Sequence, residues 1–173
     1  MELLNYEMLL ALAITFGFSG FTKLTNLQTS VRIAVSLEIL PKKLSTLYGI
    51  LLPFSELALA ILILLKFKLE IVLVLAILLL ASFVIGNLKA IISKKDLACN
   101  CFGSIFNEKL GWGGILHSLF LIVLSCIALL SHSSIGVTNL FDTLGTVEVI
   151  TVFFGAVMFF FMGILFKLTD FSQ

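Results

Sequence analysis

The sequence predicts an all-α membrane protein, a polytopic helix bundle, and three observations carry that prediction. Of 173 residues, 60% are hydrophobic and 12% charged, with a mean hydropathy of +1.20, whereas a soluble domain carries about 25% charged residues. The apolar residues gather in runs of about 20, the length that crosses a hydrocarbon core. Backbone in lipid must satisfy its own hydrogen bonds, which an isolated strand cannot do, so these runs are helices. The net charge of +1 supplies no basic field and argues against nucleic acid as a partner. The lipid bilayer is the first partner, and residues 1–173 read as a single integral membrane domain.

Five spans follow in order. The first covers residues 6–23. Glu2 and Glu7 are its only charges before Lys23, and without a basic leader it reads as a retained helix rather than a signal peptide. The second, 47–65, contains Pro53 and Glu56. The third, 69–92, has no charge between Glu70 and Lys89. The fourth covers 112–130. The fifth, 147–166, holds Phe153, Phe154, Phe159, Phe160 and Phe161 and reads as lipid-facing bulk.

The connections differ in kind. Residues 31–40 mix apolar side chains with Arg32 and Glu38. That run is too short and too charged to span, and it reads as an interfacial helix ending at Pro41. Lys66, Phe67 and Lys68 form a tight turn. Residues 131–146 contain no Lys or Arg.

Five spans sort the basic residues by side. Lys23, Arg32, Lys42, Lys43, Lys89, Lys94, Lys95, Lys109 and Lys167 fall on one face, Lys66 and Lys68 on the other. The positive-inside rule then sets the N-terminus outside and the connection over 93–111 on the cytoplasmic side of the cell membrane.

That connection carries the main chemical signal, Cys99-Asn100-Cys101. A disulfide needs Cα atoms about 4.4–6.8 Å apart with converging side chains. On a helix, side chains two residues apart diverge by about 200°, so only a local turn joins the sulfurs, and Asn100 tolerates turn conformations. Such a small ring is strained and easily reduced, which suits a transfer disulfide better than a structural one. Lys94 and Lys95 nearby favour a thiolate. The plainer reading is two small apolar residues at an interface, or a fragment of a metal site. His117 and His132 lie too far apart in sequence for a standard zinc spacing, and no metal site is expected.

Glu56 is the second signal. Counted from Leu47 it lies about 14 Å into its span, where an ionisable group faces a cavity or a partner. Pro53, one turn earlier, frees a backbone carbonyl that can help to build a polar pocket. The bland reading is a snorkelling or protonated structural Glu. His117, just beyond the cysteine connection and on the same side of the membrane, is a candidate proton carrier beside Glu56. Lys23 either pairs with Glu56 or binds lipid phosphate, the second being the default. Cys126, about 20 Å along its helix from Gly113, is too deep to bridge the other two cysteines and reads as a small buried residue. On this basis Glu56→Gln is expected to lower activity and spare the fold.

Three motifs in this order carry a resemblance: Phe18-Ser19-Gly20-x-x-Lys23-Leu24, Pro53-x-x-Glu56-Leu57, and Cys99-x-Cys101-Phe102-Gly103 ahead of another span. Together they resemble the MauE branch of the MauE/DoxX family of redox-associated membrane proteins, over about residues 5–130. The resemblance implies a four-helix core, with the fifth helix an addition to it. It implies thioredoxin-like partners and disulfide handling, as in the name-giving members, which are implicated in maturing the disulfide-rich small subunit of methylamine dehydrogenase. By the same resemblance Cys99 and Cys101 are the redox pair. Ser19, Gly20, Lys23, Pro53, Glu56, Phe102 and Gly103 are motif positions of undefined role. Partners of this kind usually lie outside the cytoplasm, opposite to the side given by the charge count.

Two function classes are open to the sequence. One is a membrane thiol–disulfide oxidoreductase or electron conduit serving a disulfide-containing client, with a quinone as its second substrate. The other is a non-catalytic assembly, immunity or export factor of the membrane.

Overall fold

A computed structural model describes residues 2–93, 111–131 and positions 153–155, 157, 158, 161 and 165. Five helices run through the first two stretches: α1 (Glu2–Thr25), α2 (Leu27–Ser36), α3 (Lys42–Leu64), α4 (Leu69–Ile92) and α5 (Trp112–Ser131). Four of them contain stretches long and apolar enough to cross a membrane: Asn5–Thr25, Lys42–Leu64, Leu69–Ile92 and Trp112–Leu130. The protein is an all-α, multi-pass membrane protein. Of the fifth span expected over 147–166, only scattered positions are described. These are helical, and Phe153, Phe154 and Phe161 are exposed; Phe159 and Phe160 lie outside the described residues.

Two boundaries differ from the sequence expectation, each for a local reason. The short helix α2 begins at Leu27 and ends at Ser36, well before Pro41. The chain must reverse between α2 and α3, and it does so over 37–40, with Glu38 in the left-handed region at φ 52°. Pro41 at φ −52°, ψ 144° then launches α3 at Lys42, five residues before the apolar run begins. Lys42, Lys43, Ser45 and Thr46 hide that first turn from a hydropathy reading. The Ser45 hydroxyl donates to the Leu40 carbonyl at 2.9 Å and ties the turn to the helix.

At the opposite end, α3 and α4 join through a tight turn in which Lys66 and Lys68 take φ values of 52° and 43°. The Lys66 ammonium folds back to lie 4.2 Å from the Tyr6 ring centroid, and burial lowers its pKa.

Small residues set the crossing of α1 and α3. A Cβ added at Gly20 of α1 would stand 3.0 Å from both the Pro53 carbonyl oxygen and Leu57 Cγ of α3. Gly17, one turn earlier, faces Ala60. Without a hydrophobic drive between helices in lipid, such close backbone approach supplies much of the attraction. Gly20→Ala should therefore push α1 off α3 and lower stability by about 1–3 kcal/mol, read as an earlier unfolding midpoint in detergent. Unchanged stability in that variant would mean that the crossing is looser than the geometry states.

The bundle is divided along its length. Met8, Leu12 and Phe16 of α1, Leu59 and Ile63 of α3, Leu73 and Ala76 of α4, and Leu124 of α5 form a dry apolar core. These residues share the end at which α3 joins α4. Beyond Lys23 of α1 and Glu56 of α3, which lie further in, the buried polar side chains Ser45, Asn87, His117 and Ser118 gather towards the other end. There α1 finishes, α3 begins, α4 finishes and α5 begins. The sequence leaves α4 at Ser93 and resumes at Gly111 on that same end.

Candidate functional site

The polar end encloses a cavity of about 290 Å³ lined by residues from all five helices. Its centre is an ion pair. Lys23 Nζ of α1 donates to Glu56 Oε1 of α3 at 2.5 Å, and the two side chains are 8% and 1% exposed. The Ser19 hydroxyl, one turn before Lys23, donates to the same oxygen at 3.2 Å. The ammonium also sits 4.3 Å from the centroid of the Phe83 ring of α4, so a carboxylate and a π face share one buried cation. The two readings of Lys23 are decided here. It pairs with Glu56, because the Gly20 crossing brings the last turns of α1 alongside Pro53 and Glu56.

Glu56 lies deeper along its helix than expected. Because α3 begins at Lys42, the distance along the axis to Glu56 is about 21 Å rather than about 14 Å. Pro53 has no N–H, so the Gly49 carbonyl four residues earlier lacks its helical donor, and Gly49 lines the cavity. Gly49 is also where α2 touches α3: a Cβ there would stand 2.7 Å from Val31 Cα. The α2 helix thus rests against the first half of α3 and closes one side of the cavity with Ile33 and Ala34, joined by Leu37 just beyond its end.

His117, the candidate proton carrier, is buried at 8% exposure and lines the same cavity as Glu56. The sequence motifs Ser19, Lys23, Pro53, Glu56 and the separate His117 therefore converge, with Gly20 and Pro53 acting through the crossing. Cys99, Cys101, Phe102 and Gly103 lie outside the described residues. Cys126 is a free, partly buried thiol on α5.

Several wall residues have no counterpart in the sequence reading. Ser82 donates to the Leu79 carbonyl at 2.6 Å, so its single proton is committed and the 2.7 Å contact with Tyr48 is donated by the tyrosine. Asn87 donates from Nδ2 to the Phe83 carbonyl at 2.8 Å, which fixes the direction of its amide. Its side chain fills the space where a Cβ of residue 114 would stand, so Gly114 permits α5 to lie against α4 there. The available signal was Ser82 and Asn87 within an otherwise apolar span, five residues apart.

The fold and the site define a multi-pass helical membrane protein with a sealed charge pair beside an internal cavity. The family model described as methylamine utilisation protein MauE matches residues 1–131, and the chain belongs to that family. Comparisons with curated proteins and with solved structures return no match.

Proposed function

We propose that the protein is a membrane thiol–disulfide oxidoreductase that supports disulfide formation in a partner protein, with Cys99 and Cys101 as the exchanging pair. The client is a thioredoxin-like or disulfide-rich protein, as expected for a relative of methylamine utilisation proteins. One observation supports the reading above the others. Ser93 and Gly111, which bracket the cysteine segment, lie at the end of the bundle where Ser45 and His117 line the cavity, and Lys23 and Glu56 line the same cavity further in. Cys99 follows Ser93 by six residues, a tether of at most about 20 Å.

The chemistry balances as two exchanges. A partner thiolate attacks one sulfur of the Cys99–Cys101 disulfide and forms a mixed disulfide, releasing the other cysteine as thiolate. The partner's second thiolate then displaces the bound cysteine, so the partner becomes a disulfide and Cys99 and Cys101 a dithiol. Reoxidation of that dithiol delivers two electrons and two protons to a lipid-soluble acceptor. His117 and Glu56, on the cavity wall, are the groups that would relay the protons. On the charge count, this end of the bundle faces the cytoplasm.

The test is alkylation of Cys99 and Cys101 with a membrane-impermeant maleimide, before and after reduction, in intact cells and in inverted vesicles. We expect labelling only after reduction, and in inverted vesicles. Two thiols that label fully without reduction on either side, whatever the growth conditions, would remove the redox reading and favour a non-catalytic assembly role.

A further inference from the structure

We infer that the cavity is the binding site for the ring of a membrane quinone, reached sideways from the bilayer. The choice of a quinone among neutral lipid-soluble rings rests on the dithiol reading above; the site itself rests on the geometry.

The mouth comes first. Ile39, Leu40 and Ile85 line the cavity and are also 45%, 44% and 56% exposed. Ile85 lies within the membrane span Leu69–Ile92, where an exposed apolar side chain faces lipid, so a ligand passing it comes from the hydrocarbon. The helices permit it, because α3 packs mainly on α1 and α2 whereas α4 packs mainly on α5.

Size and wall chemistry narrow the ligand. A volume of about 290 Å³ is at the small end of ligand pockets, which run about 300–1,000 Å³. It admits one ring, with any tail left in the bilayer. The Lys23–Glu56 ion pair on the wall cancels its own charge, so it offers no net cation for a phosphate or carboxylate, whose desolvation would go uncompensated. The hydroxyls of Thr15, Ser45 and Ser118 are committed to backbone carbonyls at 2.8, 2.9 and 2.9 Å. An ammonium carries three donors, and Lys23 directs one to Glu56. The Phe83 ring faces the ammonium as well; the donor left over suits a carbonyl oxygen and would stabilise the negative charge that grows there on reduction. Phe16 and Phe83 supply flat apolar walls for a planar ring. A flat, neutral molecule bearing carbonyl acceptors satisfies all of these. Taking two electrons and two protons, it becomes the quinol while Cys99 and Cys101 become the disulfide.

The experiment uses the full chain in nanodiscs of phosphatidylcholine with a short-tailed azidoquinone as photolabel, read by peptide mapping. Saturable labelling is expected on segments containing Tyr48, Ser82–Asn87 or His117, displaced by unlabelled short-tailed ubiquinone and not by added phosphatidylglycerol. Gly86 lines the cavity, and a Cβ there would meet only Leu37 Cδ1, at 3.5 Å. Gly86→Leu should therefore fold and weaken labelling about tenfold, or about 1.4 kcal/mol. Ile85→Trp, on the exposed rim, tests the same passage without touching the interior. Labelling spread evenly over lipid-facing segments, displaced by phosphatidylglycerol, or unchanged in both variants would overturn the site. The Cys99→Ser, Cys101→Ser double variant should label like the wild type. If it does, and added quinone nevertheless fails to oxidise the wild-type dithiol, the redox reading falls while the site stands.

Discussion

Glu56→Gln should destabilise the folded protein by about 3–5 kcal/mol, because it leaves the Lys23 ammonium buried without its counter-charge. Lys23→Met should cost a similar amount by stranding the Glu56 carboxylate, which is 1% exposed. The Lys23→Met, Glu56→Gln double variant should be more stable than either single one, since removing both charges removes both desolvation penalties. The measurement is unfolding of the three variants in mixed micelles, analysed as a double-mutant cycle. Single variants as stable as wild type, or a double variant that merely adds the two losses, would show that the pair is solvated rather than sealed. This replaces the expectation from sequence that Glu56→Gln spares the fold. That expectation treated Glu56 alone, and the 2.5 Å contact with Lys23 couples its removal to packing. Activity of Glu56→Gln is therefore interpretable only under conditions in which the variant remains folded.

The largest functional effect is expected at the cysteines. If Cys99 and Cys101 act as one dithiol, Cys99→Ser and Cys101→Ser should each abolish client oxidation as completely as the double variant, because residues that work as a unit are strongly non-additive. One of the single variants should also accumulate a mixed disulfide with the client, since the resolving thiol is missing. On a non-reducing gel this is a reductant-sensitive band of the combined mass, and it identifies both the client and the attacking cysteine. Cys126→Ser, at a partly buried position on α5, should match the wild type. Full client oxidation in the double variant would leave the cysteines without a redox role.

Element by element, the membrane class and the α4 boundaries were legible because hydropathy in lipid is a one-dimensional signal. The apolar run over 69–92 and the observed helix Leu69–Ile92 coincide. The start of α3 was not legible, because its first turn carries Lys42, Lys43 and Ser45 and the two lysines are exposed, so no apolar run marks it. The ends of α2 were missed for a related reason: a helix lying against another helix needs only a narrow apolar face, and its limits are set by the turn at Glu38.

Among the site residues, Glu56 and His117 stood out as ionisable groups inside spans, a signal that needs no fold. Tyr48, Ser82, Phe83 and Asn87 did not, because uncharged polar and aromatic residues are common in membrane helices. Their importance comes from which face they share.

The sequence by itself determined that this chain is a helical membrane protein, that Glu56 needs a partner or a cavity, and which residues carry the family's motifs. Burial cost and hydrophobic run length depend on residue type and order alone, so those conclusions require no coordinates. Only the tertiary structure decided that Lys23 is the partner of Glu56, that Phe83 shares its charge, and that a cavity lies beside them. Those depend on how closely α1 approaches α3 at Gly20 and on where α2 comes to rest at Gly49. Such distances between segments far apart in sequence arise from packing, and no local pattern encodes them.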